Sequence, residues 1–462
     1  MASEAPAAKR LCKGSVEDAL RRAVGDEALL DDLCSARPAV WLNPSHGSML
    51  EGLPLSAHDL EEAQHRWERL APLIARLFPA EAPAGRIASA LEEMPAGLSA
   101  ALGLGAGARA FVKCDSHLPV CASVKARGGL FEVFCRAEDV CIERGLLSKQ
   151  DDYSKLASEP LARVLAEEEV AVGSTGNLGM AVGLAAAALG MKATIHMSAD
   201  AKAWKKQLLR SRGVTVVEHQ GLYCEAVEQG RQAAEANPRC HFVDDETSRT
   251  LFLGYSAAAK ELEGQLKEQG IEVSKEHPLV VYIPCGIGGA PGGICWGLKH
   301  CFGELVHVFF GEPTHAPCVT VGLASGLHDA VSVQDLGLDG RTEADGLAVG
   351  RASGLVCRMV QGLVAGTFTV DDAELFKNLA LLLDAGCRFM EPSCCAGLSG
   401  RFIRPLAASG SGLCRPDRGP PGARHARLLG HGRRLGAGGR ANGFLRARPC
   451  IAAEAGLMQY LI

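Results

Sequence analysis

No CxxC pair occurs in this 462-residue sequence, although it holds 18 cysteines. Without cysteines at ligand spacing a structural zinc site has no support. Cys394 and Cys395 are adjacent, a poor geometry for a disulfide. The cysteines read as free thiols of a reducing cytosol, so a cytoplasmic location is expected. No basic stripe with interleaved aromatics appears in the first 400 residues. With a net charge of −5, that argues against a general nucleic-acid binder. Lys9, Arg10 and Lys13 are not followed by an apolar core, so no secretory signal is read. The longest apolar stretch, Leu178 to Met191, falls short of the roughly 20 residues that span a bilayer. No membrane partner is expected.

A hydrophobic share of 47% and a charged share of 22% are those of a soluble globular chain, long enough for two or three domains. Residues 1–107 read as a helical region. Leu60, Ala63, Trp67, Leu70, Ile74 and Leu77 recur at helical spacing, and Leu42 to Gly47 forms a turn. From residue 108 short apolar runs alternate with helical stretches. The runs are Ala110–Lys113, Glu169–Val172, Lys192–Met197, Val214–Val217, His241–Val243, Leu279–Ile283 and Val306–Phe310. This order predicts an α/β core over 108–399: mostly parallel sheets with helices on both faces, and a smaller subdomain over roughly 165–245. Ligands in such folds bind at the carboxyl ends of strands.

Three motifs fall at such ends. In Ser123-Val124-Lys125-Ala126-Arg127-Gly128-Gly129 a lysine opens a helix, where its charge is disfavoured. That setting suits an amine needed neutral for Schiff-base chemistry, though an ordinary solvated lysine is the plain alternative. Gly173-Ser174-Thr175-Gly176-Asn177 brings two hydroxyls, a carboxamide and helix N–H groups together, a fit for a carboxylate; a simple N-cap is the alternative. Pro284 to Gly293 is a Gly-rich loop after a strand, able to converge amides on a phosphate. It lacks the Lys-Ser/Thr of a Walker loop.

Longer strings carry a resemblance. Lys113 to Pro119 leading into Lys125, Ser174 to Gly179, His196 to Asp200 and Arg249 to Ser256 resemble the D-serine dehydratase family. So do Trp204 to Lys206, Asp244 to Glu246, Gly286 to Gly293, Glu312 to His315 and Ala344 to Arg351. That family belongs to the tryptophan-synthase-β-like (fold type II) enzymes that use pyridoxal 5′-phosphate (PLP), and the match runs from about Trp41 to Gly397. The resemblance implies a two-domain PLP fold and β-elimination of D-serine to pyruvate and ammonia. It implies that Lys125 holds the cofactor and removes the Cα proton, and that Gly286, Ile287, Gly288 and Gly289 bind the phosphate. Asn177 would contact the phenolic oxygen, Ser174 and Thr175 the substrate carboxylate. Asp245 or the cofactor phosphate would assist the leaving hydroxyl, and Glu391 would help coordinate a monovalent cation, K+ or Na+. The partner is then a small amino acid, and the assembly a monomer or homodimer. An L-serine or threonine dehydratase, a PLP-binding protein without turnover and a nucleotide-binding protein remain open as alternatives.

The tail departs from that family. Residues 400–450 hold 11 Arg and 11 Gly, no Lys and one acid, Asp417. The family's late Trp-Ala-Thr-Gly-Gly stretch, which supplies a hydroxyl to the pyridine nitrogen, is absent. One codon string for Leu429 to Arg434, CTG GGC CAC GGG CGG CGC, reads one base later as Trp-Ala-Thr-Gly-Gly. The expectation is a frameshifted or disordered tail over 400–462, without the last strand of the sheet, and weak cofactor binding and activity in the chain as written.

Overall fold

The computed structural model describes residues 18, 20–22, 24–47, 50, 52–104, 109–174, 176–199, 201–220, 223–402 and 458–461. Eleven strands among them form two sheets. β1 (Val40–Leu42), β2 (Leu91–Glu93), β3 (Arg109–Lys113), β8 (Leu279–Pro284), β9 (Val306–Pro313), β10 (Gly366–Val370) and β11 (Met458–Leu461) make the larger one, in the order β1-β10-β9-β8-β11-β3-β2. β4 (Glu169–Gly173), β5 (Lys192–Ser198), β6 (Thr215–His219) and β7 (Cys240–Val243) make the smaller one, in the order β6-β5-β4-β7.

The smaller sheet is parallel throughout. The larger is parallel except at its margins, where β1 pairs antiparallel with β10 and β2 with β3. Leu279, Val280, Val281 and Tyr282 of β8 are wholly buried. That is the continuous apolar run of a strand covered on both faces.

The helices that matter for the site are α1 (Ala57–Leu77), α2 (Lys125–Glu143), α3 (Asn177–Ala188), α4 (Ala203–Ser211), α5 (Arg249–Ser256), α6 (Ala258–Glu268), α7 (Gly289–Phe302), α8 (Cys318–Ser325) and α9 (Asp372–Asp384). α1 follows the predicted spacing. It starts at a capping box in which the Ser56 N–H donates to Asp59 at 2.7 Å, and it buries Leu60, Leu70, Leu73 and Ile74. Trp67 lies 5.0 Å, centroid to centroid, from Phe131 of α2.

Small residues let α2, α3, α5 and α7 approach closely. A Cβ on Gly129 would stand 2.7 Å from the Ala181 methyl, one on Gly254 2.5 Å from the Arg127 carbonyl, and one on Gly293 2.4 Å from the Phe252 carbonyl. These four helices thus bridge the two sheets and aim three of their N-termini at one place.

Two readings are corrected. The N-terminal region is not wholly helical: β1 and β2 come from it and close the two edges of the larger sheet. Three residues are too few to show a period of two, and short edge strands blunt an exposed sheet margin. The last strand is also present, since Met458–Leu461 pairs in parallel with both β8 and β3. The rest of the tail reading falls on 403–457, outside the described residues.

Candidate active site

The three predicted motifs line one cavity of about 830 Å³. Each enters it at a helix N-terminus, where N–H groups have no partner within the helix and the dipole is positive. Lys125 is the first residue of α2, with its own N–H donating to the Ser123 hydroxyl at 3.3 Å. Its half-buried side chain lines the cavity and makes no hydrogen bond or ion pair to a described residue. Burial lowers its pKa from the ordinary 10.5, while Asp245, Cys285, Cys394 and Glu391 oppose the shift. An amine here is biased toward its neutral, nucleophilic form.

Asn177 opens α3. Ser174, at the end of β4, is buried, and its hydroxyl accepts from the Gly176 N–H at 3.3 Å. Both line the cavity; Thr175 lies outside the described residues.

The third wall is the loop from β8 into α7. Gly286, Ile287, Gly288 and Gly289 all face the cavity. Gly288 caps the helix at φ 108°, a conformation that L side chains rarely adopt. A Cβ there would also meet Val356 Cγ1 at 2.9 Å. Pro291 stands in the first turn of α7, where an N–H would have no helical acceptor.

Asp245, half-buried in the turn after β7, lines the same cavity. So does Glu391, with one correction. It does not end a strand: α9 follows β10, and Glu391 immediately precedes a 3-10 helix, Pro392–Phe402. Its carboxylate accepts from Asn177 Nδ2 at 3.1 and 3.4 Å. Among the described residues no group of three or more His, Cys, Asp and Glu gathers to hold a metal.

Sequence reasoning missed three features of the wall. Lys202 and Lys205, at the start of α4, reach Asp345 at 3.2 and 3.5 Å, tying the smaller sheet to a loop of the larger across the cavity rim. Burial raises the Asp345 pKa, but the two lysines bring it below its usual value. The second is an ionic cluster, of which Lys113 and Asp115 line the cavity. Arg127 grips both oxygens of Asp115 at 2.9 Å and Glu261 of α6 at 2.7 Å, while Lys113 reaches Glu261 at 2.6 Å. Third, Tyr255 of α5 faces the cavity. Lys202, Asp345 and Tyr255 all lie in or beside the strings that carry the resemblance. An aromatic with a polar tip directly after Gly254 was the one signal Tyr255 offered.

The sequence profile of the family described as "Pyridoxal-phosphate dependent enzyme" matches residues 93–411. The chain is 49% identical over 400 residues to "Probable D-serine dehydratase" of Desulfitobacterium hafniense, covering 84% of this chain and 90% of the relative. It is 48% identical over 379 residues to "D-serine dehydratase" of Citrobacter koseri, covering 80% and 86%. In architecture it is similar to diaminopropionate ammonia lyase from Escherichia coli, solved in complex with D-serine. The TM-score is 0.61 at 19% identity, with 79% of this chain and 86% of that one covered. This chain belongs to the pyridoxal-phosphate-dependent enzyme family, within its D-serine dehydratase branch.

Proposed function

We propose that the chain eliminates water from D-serine, releasing pyruvate and ammonia, with PLP in the cavity and Lys125 as its anchor. The carrying observation is an unpaired, neutral-leaning amine at the mouth of three converging helix N-termini. The donor set suits the cofactor. A phosphate needs convergent N–H groups, and the Gly286–Gly289 loop at the start of α7 offers them. A Cβ at Gly289 would find its nearest atoms only at 3.8 and 3.9 Å, so this face of the loop is open.

Bound there, PLP supplies an electron sink that acidifies the Cα–H of the amino acid it holds. Lys125 Nζ would anchor the cofactor and, as a free amine, would take the Cα proton. Its lowered pKa favours the unprotonated form that a base requires. Ser174 and Thr175 orient the substrate carboxylate, and Asn177 the ring. Hydroxide leaves poorly without a proton, and Asp245, which lines the cavity, or the cofactor phosphate would give one. Glu391 steadies Asn177 and, with nearby carbonyls, would accept a monovalent cation, K+ or Na+. Among the described residues buried cysteines such as Cys135, Cys141 and Cys295 are free thiols, in keeping with a cytoplasmic setting. No described helix is long and apolar enough to cross a membrane.

Pyruvate release from D-serine against L-serine tests the reading. Turnover of L-serine alone would move the chain to another lyase. A bound cofactor without turnover would favour the second reading, a PLP protein disabled by its tail. That reading is supported by the family match ending at residue 411, close to where the Arg/Gly-rich stretch begins. Resequencing the transcript decides the tail itself: an intact frame coding for it excludes the frameshift.

A further inference from the structure

Tyr255 is 1% exposed and still lines the cavity. Its ring is wedged between the first turns of two helices. A Cβ on Gly128, one turn after Lys125, would lie 2.4 Å from the hydroxyl-bearing ring carbon Cζ. A Cβ on Gly289 would lie 3.8 Å from Cε2, and one on Gly293 2.9 Å from the Tyr255 Cβ. The hydroxyl therefore sits where the N-termini of α2 and α7 meet, beside the Gly286–Gly289 loop.

A phenol this deeply buried ordinarily has a hydrogen-bond partner. Tyr255 makes no side-chain hydrogen bond to any described residue. Burial, with the Asp245 charge adding to it, holds the phenol well above its ordinary pKa of 10.0, so the group is an O–H donor at neutral pH. An unused donor aimed between two positive helix ends calls for an anionic acceptor.

We propose that Tyr255 is a phosphate-binding residue: its O–H donates to the phosphate of bound PLP and completes the site that the loop amides begin. This rests on reading the cavity as the PLP site, and the test keeps the two apart. Apo-protein is titrated with PLP and with pyridoxal, which lacks the phosphate, in wild type and Tyr255→Phe. The phenylalanine keeps the ring beside Gly128 and Gly289 and removes one oxygen. Loss of a hydrogen bond to a charged group is expected to weaken PLP binding about tenfold or more, leave pyridoxal affinity unchanged and leave the apo-protein's Tm unchanged or higher. Equal PLP affinity in the two proteins, an equal loss for both ligands, or a lower apo Tm would each overturn the proposal. So would a fall in turnover alone, which would assign the hydroxyl to the substrate. Wild-type protein with no saturable PLP binding would overturn the cofactor reading and this one with it.

Discussion

Lys125 and Arg127 stand on the same turn of α2 and are chemically opposite. Arg127 is 3% exposed and held on every nitrogen: Asp115 takes its Nε and Nη2, and Glu261 and the Ile87 carbonyl take Nη1. Burial works against its charge, but Asp115 and Glu261 more than offset that and push its pKa up. Lys125 opens into the cavity with no such partner, and burial prevails, pulling its pKa down. Burial penalises both cations alike. What separates a structural cation from a reactive amine is whether carboxylates meet it at hydrogen-bonding distance. The two roles need each other, because the cluster fixes the first turn of the helix on which the amine is carried.

The sharpest break in the comparison is to exchange the roles by deletion. Lys125→Ala is expected to lower D-serine turnover about 10⁴-fold or more, since anchor and base vanish together, while the apo-protein folds normally. A variant retaining a tenth of the parent rate would remove Lys125 from its role. Arg127→Met is expected to do the reverse. It strands two carboxylates, Asp115 buried and Glu261 partly so, and should cost about 3–5 kcal/mol in urea unfolding. The pH dependence follows with its sign. Burial raises both acids, but Arg127 and Lys113 bring Asp115 and Glu261 below their ordinary 3.8 and 4.5. Their contribution to stability is therefore present above those values and lost as pH falls through the folded pKa values. That acid-dependent loss should shrink in Arg127→Met. An unchanged acid profile would mean the cluster holds no such energy.

The sequence made one half of this contrast legible and hid the other. The lysine at a helix start, the hydroxyl turn and the Gly-rich loop were all visible, because each is a local string at a strand end. Strand and helix alternation was readable for the same reason: β8 and β9 are continuous apolar runs. Arg127 was quoted within a motif, but its partners Asp115 and Glu261 lie 12 and 134 positions away. Pairing at that separation leaves no periodic trace. Tyr255 was hidden likewise, since its meaning comes from Gly128 and Gly289 on two other helices. Glu391 looked like a strand-end acid because nothing local distinguishes a strand from the 3-10 helix that follows it.

A smaller effect is expected at the phosphate loop. Gly288 is a poor place to probe it, because φ 108° and the Val356 contact would damage folding whatever the loop binds. Gly289 has room, with nothing nearer to an added Cβ than 3.8 Å. Gly289→Asp would set a carboxylate among amides meant for an anion, and like charges there should weaken PLP by about 2–3 kcal/mol, with little change in apo stability. Comparable losses of apo stability and PLP affinity would make the loop a packing element instead.

The smallest effect isolates what Lys125 costs the fold. In the apo-protein its amine is partly desolvated and lacks a partner, so Lys125→Met should stabilise by about 1 kcal/mol near neutrality. The folded pKa lies below 10.5 and the unfolded one at about that value. Between the two, the unfolded chain holds a proton that the folded chain has lost, so wild-type stability rises with pH. Below the folded pKa both states are charged, and the folded state carries its full penalty. The advantage of Lys125→Met should therefore be greatest at low pH and fade as pH approaches 10.5 in paired urea titrations. An advantage of the same size at every pH would assign the cost to packing rather than charge. Arg127→Met, destabilised across the same alkaline range, would then be the only one of the two positions governed by electrostatics.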